Sequence, residues 1–138
     1  MPYPMNHIHL RSKDPHKAVQ WYEKHFGARV VSEGEGLFGT VTISTQLEGN
    51  LRLNISSQPP GESLERGSAE FHLGLEHFGF DVPDLAEAVR HARANGARIT
   101  GIPDDQLPGP ETNFVWVHPA TTMGVYIQLQ RPGTGRPL

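Results

Sequence analysis

The chain has 138 residues, of which 12 are Lys or Arg and 15 are Asp or Glu, so its formal net charge is −3 at pH 7. This length allows one compact domain with a hydrophobic core, and the scattered charges exclude a basic surface for nucleic acid. The absence of cysteine excludes disulfides, thiolate nucleophiles and cysteine-ligated zinc. The N-terminus does not read as a signal peptide, and no apolar run approaches the ~18 residues of a membrane span. We therefore expect a cytoplasmic protein without a membrane partner.

The first half of the chain predicts a βαβββ module over residues 5–56. Its opening strand alternates, with Ile8 and Leu10 on one face and the histidines His7 and His9 on the other. An Asp-Pro pair at residues 14–15 predicts the start of a helix, and a glycine after Phe26 predicts its end. The predicted elements are a strand over 5–11, a helix over about 15–26, and strands over 29–32, 37–45 and 50–56.

The second half predicts the same order of elements over residues 71–131. Asp84 caps a helix whose apolar residues recur at i, i+3, i+4 and i+7, and Gly96 ends it. The stretch 102–111 contains three prolines, so it is expected to be a loop. The predicted strands are 75–80, 98–101, 113–118 and 125–130. Residues 57–70 are expected to form a linker between the modules and residues 132–138 a flexible tail, within a single domain of residues 1–138.

Two stretches match each other in register, which indicates an internal repeat. HIHLRSKDPHKAVQWYEKHFGARV begins at His7 and HFGFDVPDLAEAVRHARANGARI at His77, with an offset of 70 that falls to 69 at the shared GAR motif. The last strands of the halves match at an offset of 74, which places Asn54 on Gln128. Strand alternation puts all four polar side chains on the faces opposite the helices, so the repeat predicts that they meet.

With these motifs and the ending FVWVHPATTMGVYIQLQ, the chain resembles the vicinal oxygen chelate superfamily. That superfamily includes glyoxalase I, methylmalonyl-CoA epimerase, fosfomycin-resistance and bleomycin-binding proteins, and extradiol dioxygenases. The resemblance implies an α+β fold of two βαβββ modules related by a pseudo-two-fold axis, and a homodimer. It also implies a divalent metal (zinc, nickel, manganese or iron) held by four residues: His7, Asn54, His77 and Gln128. Arg52 is an alternative to Asn54.

The chain departs from the family pattern at the carboxylates. The family's catalytic members usually carry glutamate where this chain has Gln128, and often Glu or Gln where it has Asn54. A site without an anionic ligand binds metal more weakly and favours an anionic substrate. Gln128 occupies the position of the family's catalytic glutamate. An amide cannot act as a general base, so Gln128 could serve there only as a metal ligand. The base would then be His9, Glu33 or Glu35 in the turn after the second strand, or metal-bound hydroxide.

Several further residues have an expected place. The candidates for substrate binding are Arg52, Tyr126 and Trp116. The sequence alone leaves both faces of its strand possible for Trp116. The aromatic residues Trp21, Tyr22 and Phe26 are expected to be core or dimer contacts, and His118 is expected to be structural. The GxGxxG pattern over residues 34–39 precedes a β-branched strand instead of a helix, so no nucleotide cofactor is expected.

Two functions remain open. The leading hypothesis is a metal-dependent lyase or isomerase of the glyoxalase or epimerase kind, acting on a small carbonyl or carboxylate substrate. The alternative is a metal-free protein that binds an antibiotic or aromatic metabolite. Retention of both histidines favours the enzyme, and loss of both carboxylates favours the binding protein. Extradiol dioxygenase chemistry is disfavoured because it needs two histidines and one carboxylate on iron.

Overall fold

The computed structural model of the chain describes residues 3–36, 39–49, 51–58, 72–122 and 124–134. In chain order the elements are β1 (Met5–Ser12), α1 (Pro15–Phe26), β2 (Arg29–Glu35), β3 (Val41–Gln46), β4 (Arg52–Ser57), β5 (His72–Asp81), α2 (Leu85–Ala94), β6 (Ile99–Thr100), β7 (Phe114–Val117) and β8 (Tyr126–Gln130). A 3₁₀ helix over Pro119–Thr121 precedes β8. Within the described ranges, neither α-helix is long and apolar enough to cross a membrane.

The chain folds into two compact units. The N-terminal module is built around residues 7–76, and the C-terminal module around residues 77–135 together with the first residues of the chain. In the N-terminal module the strands lie in the order β2-β3-β4-β1, and in the C-terminal module in the order β6-β7-β8-β5. In each module the first and last strands pair in parallel and the other pairs are antiparallel. This repeated topology confirms the predicted α+β fold of two βαβββ modules.

In the N-terminal module, helix α1 begins and ends where its sequence predicts. Asp14 Oδ1 accepts a hydrogen bond from the Lys17 backbone N–H at 3.2 Å, and Gly27 adopts the left-handed conformation, φ 68°, that closes a helix. The buried face of the helix packs on the apolar side chains of the sheet. The core consists of Ala18, Val19, Ile43, Leu53 and Ile55, with Ile8 and Leu10 packed against it.

The C-terminal module repeats this design with different residues. Asp84 Oδ1 accepts from the Glu87 N–H at 3.0 Å, and Asn95 caps the helix one residue before Gly96, whose φ is 87°. The predicted apolar stripe of α2 is confirmed, because its side chains pack on the sheet. The core consists of Val82, Leu85, Ala88, Val89, Ile99, Val115, Val117 and Leu129.

Strand β2 is longer than predicted, and this changes the position of its glutamates. Glu33 and Glu35 were expected in a turn, but they pair in register with Ile43 and Val41 of β3. The turn begins only at Gly36, whose N–H donates to Thr40 at 2.6 Å. A strand ends where its main-chain hydrogen bonds end, and local composition does not show that point. The prediction that Glu35 lies in a turn is therefore wrong.

Two other expectations have a clear outcome. The proline-rich stretch 102–111 contains no strand, as predicted, and two arginines hold its backbone. Arg93 donates to the carbonyls of residues 103 and 106, and Arg131 to those of 109 and 112. Tyr22 packs against the core, but Trp21 is 39% and Phe26 65% exposed, so these two are not core residues of the chain. The predicted linker from residue 59 onward and the tail from residue 135 lie outside the described residues.

Candidate functional site

The polar side chains of β1, β3 and β4 share one face of the N-terminal sheet. The apolar residues between them lie in the core against α1, so the two-residue period of a strand directs the polar ones to the other side. The register places His7 beside Arg52, and His9 beside Asn54, which in turn lies beside Ser44. We call this surface the N-terminal polar face: His7, His9, Arg11, Thr42, Ser44, Gln46, Arg52, Asn54 and Ser56.

Asn54 and Arg52 converge on one hydroxyl group of this face. The Ser44 hydroxyl donates to Asn54 Oδ1 at 2.7 Å, and Arg52 Nη1 donates to Ser44 Oγ over a longer 3.5 Å. His7, in register with Arg52, is only 8% exposed. The structure therefore brings the predicted ligands His7 and Asn54 to one face, but the amide oxygen already accepts a hydrogen bond there.

His9 belongs to a hydrogen-bonded cluster at the end of the same face. Its Nε2 lies 2.7 Å from Ser56 Oγ, and Arg11 Nη1 donates to that oxygen at 2.8 Å. Arg11 also donates to the Ser57 carbonyl and, through Nε, to Glu76 at 3.3 Å. Burial, with smaller contributions from the positive charges of Arg11 and His7, lowers the pKa of His9 to about 3. An imidazole with this pKa is neutral at pH 7 and a weak proton acceptor, so the predicted role of His9 as general base has little chemical support.

The predicted carboxylate bases do not reach the N-terminal polar face. Glu33 pairs with Ile43, a core residue, and its carboxylate contacts His16 of helix α1. Glu35 lies two residues further along β2, so it projects from the same helix-side surface. The hydroxyl groups of Ser44 and Ser56, which organise the polar face, were not among the predicted site residues. The alternation of Thr42 and Ser44 with apolar or buried residues of β3 was the signal that could have indicated them.

The equivalent face of the C-terminal module is aromatic. His77 lies in register with Tyr126, and Gln128 with Trp116. Val115, Val117 and Leu129 alternate with these residues and lie in the core, which settles the side to which Trp116 projects. We call this surface the C-terminal aromatic face: His77, Phe114, Trp116, His118, Tyr126 and Gln128. The structure thus brings the predicted residues His77, Trp116, Tyr126 and Gln128 together.

The rings of this face contact each other edge to face. The centroid of Trp116 lies 4.8 Å from that of His77, 5.8 Å from Phe114 and 5.9 Å from Tyr126. Phe114 is 46% and Tyr126 39% exposed, so the cluster offers an open apolar surface. His118 packs on Tyr126, and its Nδ1 accepts from the Ala120 N–H at 3.0 Å. That bond caps the 3₁₀ helix, which agrees with the structural role expected for His118.

The residues that the resemblance assigns to a metal do not fit a divalent ion well in this chain. Two imidazoles and two amides supply no negative charge. On the N-terminal polar face the Asn54 oxygen accepts from Ser44, and the guanidinium of Arg52 stands in register with His7. Over the described ranges, no group of three or more histidine or acidic side chains could hold a metal ion. We derive no chemical step through a metal for this reason of donor chemistry.

The sequence and fold are similar to those of known proteins. A family model described as the glyoxalase/bleomycin resistance protein/dioxygenase superfamily matches residues 5–129. Glyoxalase I of Saccharomyces cerevisiae is 24% identical over 118 residues, in an alignment covering 69% of this chain and 36% of that protein. The chain therefore spans about a third of the length of this curated relative.

Solved structures share the fold at low sequence identity. Methylmalonyl-CoA epimerase from Mycobacterium tuberculosis matches with a TM-score of 0.70 and 21% identity, covering 94% of this chain and 87% of that one. A Streptomyces coelicolor methylmalonyl-CoA epimerase in complex with 2-nitronate-propionyl-CoA matches at 0.71 and 18%, covering 97% and 100%. A hypothetical protein from Bacillus halodurans matches at 0.73 and 17%, covering 99% of both chains. At these identities the likeness concerns the fold alone.

Proposed function

We propose that this chain, which belongs to the glyoxalase/bleomycin resistance protein/dioxygenase superfamily, binds a small aromatic metabolite or drug without a divalent metal. The observation that carries the proposal is the aromatic cluster around Trp116 on the C-terminal aromatic face. Exposed rings held edge to face present flat apolar surfaces on which a planar ligand can stack. A lyase or isomerase acting by proton transfer would also need a base, and the carboxylate that reaches the N-terminal polar face, Glu76, is paired with Arg11.

A second function is favoured by a different observation. His7 and His77 occupy matching positions of the two modules, and glyoxalase I and methylmalonyl-CoA epimerases are among the similar proteins. This pattern supports a metal-dependent lyase or isomerase with a small carbonyl or carboxylate substrate, in which His7, His77, Gln128 and Asn54 would be the ligands. Zinc, nickel, manganese and iron(II) are the ions to test.

Calorimetric titration with 2-naphthoate tests the first proposal. Trp116→Ala removes the central ring of the cluster, and we expect it to weaken binding about tenfold. The loss of one ring–ligand contact costs about 1 kcal/mol, and the loss of its buried area adds to this. Trp21→Ala is the matched control, because it removes the chain's other tryptophan, which is exposed on α1. Equal affinities of the two variants would contradict the proposal.

Metal analysis separates the two functions. Protein purified without chelator or nickel resin is compared with a His7→Ala/His77→Ala double variant by elemental analysis. We expect no stoichiometric metal in either protein. Stoichiometric metal that disappears in the double variant would favour the lyase or isomerase, and α-hydroxy ketones and acyl thioesters would then be the first substrates to assay.

A further inference from the structure

We propose that Arg52, positioned by the Ser44 hydroxyl, binds a ligand carboxylate directly on the N-terminal polar face, where the family resemblance implies a metal. It goes beyond the proposed function, because it assigns a monocarboxylate ligand to this face without using the C-terminal aromatic face. It concerns one module by itself.

The first argument is the charge of the face. The nine residues of the face carry hydroxyl, amide and imidazole groups and two guanidinium groups, and none of the nine is acidic. The acidic residues of the neighbouring strand β2 lie on the opposite side, where Glu33 contacts His16. The Glu76 carboxylate that reaches this face is neutralised by Arg11 at 3.3 Å, so an anion beside Arg52 would meet positive charge and hydrogen-bond donors.

The second argument is the state of the two guanidinium groups. Arg11 forms an ion pair with Glu76 at 3.3 Å and donates to Ser56 and Ser57. Arg52 takes part in none of the ion pairs among the described residues, and it donates to the Ser44 hydroxyl over 3.5 Å. A partly buried arginine that has no acidic partner among the described residues gains more from a bound anion than an arginine already neutralised by a glutamate.

The third argument is the shape and amount of charge required. The planar guanidinium fork matches a carboxylate with two parallel hydrogen bonds. One such group compensates one negative charge, and the adjacent Ser44 and Asn54 are neutral. A monocarboxylate is therefore a better match than a phosphate dianion. The same guanidinium, in register with His7, would repel a divalent cation at this position.

The main experiment compares 2-naphthoate with neutral 2-naphthamide by calorimetry at constant ionic strength. We expect the protein to bind the carboxylate at least about tenfold more tightly than the amide, because charge-assisted hydrogen bonds are stronger than neutral ones. Arg52→Gln should remove this preference, and Arg52→Lys should retain part of it. Arg90→Ala is the charge-matched control, because Arg90 lies on α2 paired with Glu87, and it should keep the full preference. A preference that Arg52→Gln leaves intact would overturn the proposal.

A second measurement keeps the proposal independent of the aromatic face. The Nε–H resonance of Arg52, assigned by its loss in Arg52→Gln, is followed by NMR during titration with acetate and with acetamide. We expect acetate to shift this resonance and acetamide to leave it in place. An acetate shift without 2-naphthoate binding would contradict the proposed function alone. If acetate leaves the resonance in place, while circular dichroism shows that the protein and its Arg52→Gln variant are both folded, the carboxylate site is refuted.

Discussion

The two modules share one topology but present different chemistry on equivalent faces. His7 is in register with Arg52, whereas His77 is in register with Tyr126; Asn54 is in register with Ser44, whereas Gln128 is in register with Trp116. The backbone repeat has kept the positions while the side chains have diverged toward hydrogen-bonding groups in one module and rings in the other. Matching positions therefore identify where a ligand can be contacted, and the residues in register with them identify which kind of ligand it can be.

The largest expected effects test what the two modules have in common, the core beneath each helix. Ile55→Ala in the N-terminal module and Leu85→Ala in the C-terminal module each delete a side chain that is 0% exposed. We expect each to lower the free energy of unfolding by about 2–5 kcal/mol, because each leaves a cavity in a packed core. Urea unfolding followed by circular dichroism measures the loss. A variant that unfolds like the parent protein would show that its module does not depend on the core described.

The next effect is specific to the N-terminal polar face. The pKa of His9 is lowered to about 3 in the folded protein, so between about pH 6.5 and 3 the unfolded chain takes up a proton that folded His9 refuses. We expect stability to fall as the pH decreases below 6.5, by up to about 3 kcal/mol at pH 4.5. His9→Gln cannot take up this proton and should lose less stability over that range. Identical pH dependence of the two proteins in urea unfolding would contradict a buried neutral His9.

A smaller effect separates the hydrogen-bonded face from the aromatic one. Ser44→Ala removes the donor to Asn54 Oδ1 and the acceptor for Arg52. We expect a loss of about 1 kcal/mol in the free energy of unfolding, since Ser44 is buried and Asn54 loses a neutral hydrogen bond. Ser57→Ala, at the end of β4, removes an exposed hydrogen bond from the Val41 N–H and provides the comparison within the same strand pair. No change in thermal or urea unfolding for Ser44→Ala would show that the Ser44–Asn54 contact does not stabilise the face.

The smallest expected effect concerns metals. Since neither face supplies a carboxylate ligand, we expect that EDTA or added zinc shifts the unfolding temperature by no more than the scatter between repeats. A ligand that binds only the folded state raises its stability, and the rise grows with the logarithm of the ligand concentration above Kd. A rise in unfolding temperature with zinc that is lost in His7→Ala would therefore contradict the metal-free proposal. His91→Ala, an exposed histidine on α2, controls for nonspecific binding by imidazole.

The sequence by itself determined the features that local physics controls. The capping residues Asp14 and Asp84 set the helix starts, alternation separated apolar from polar strand residues, and the repeat revealed equivalent positions such as His7 and His77. These predictions held because a cap, a helical stripe and a strand face depend on residues close together in the chain. They were sufficient for the fold and for placing His7, Asn54, His77 and Gln128 on the sheet face opposite the helix of each module, while the meeting of all four stays a prediction.

The tertiary structure alone decided how residues distant in the chain combine. The register of β7 against β8 put Trp116 beside Gln128, and the extent of β2 put Glu35 on the helix side. The Ser44–Asn54 hydrogen bond and the absence of Arg52 from the ion pairs of the described residues likewise depend on strand pairing. Register is set by main-chain hydrogen bonds between separate strands, and a one-residue shift reverses every side chain. For this reason the sequence located the candidate site, while the chemistry of each face required the fold.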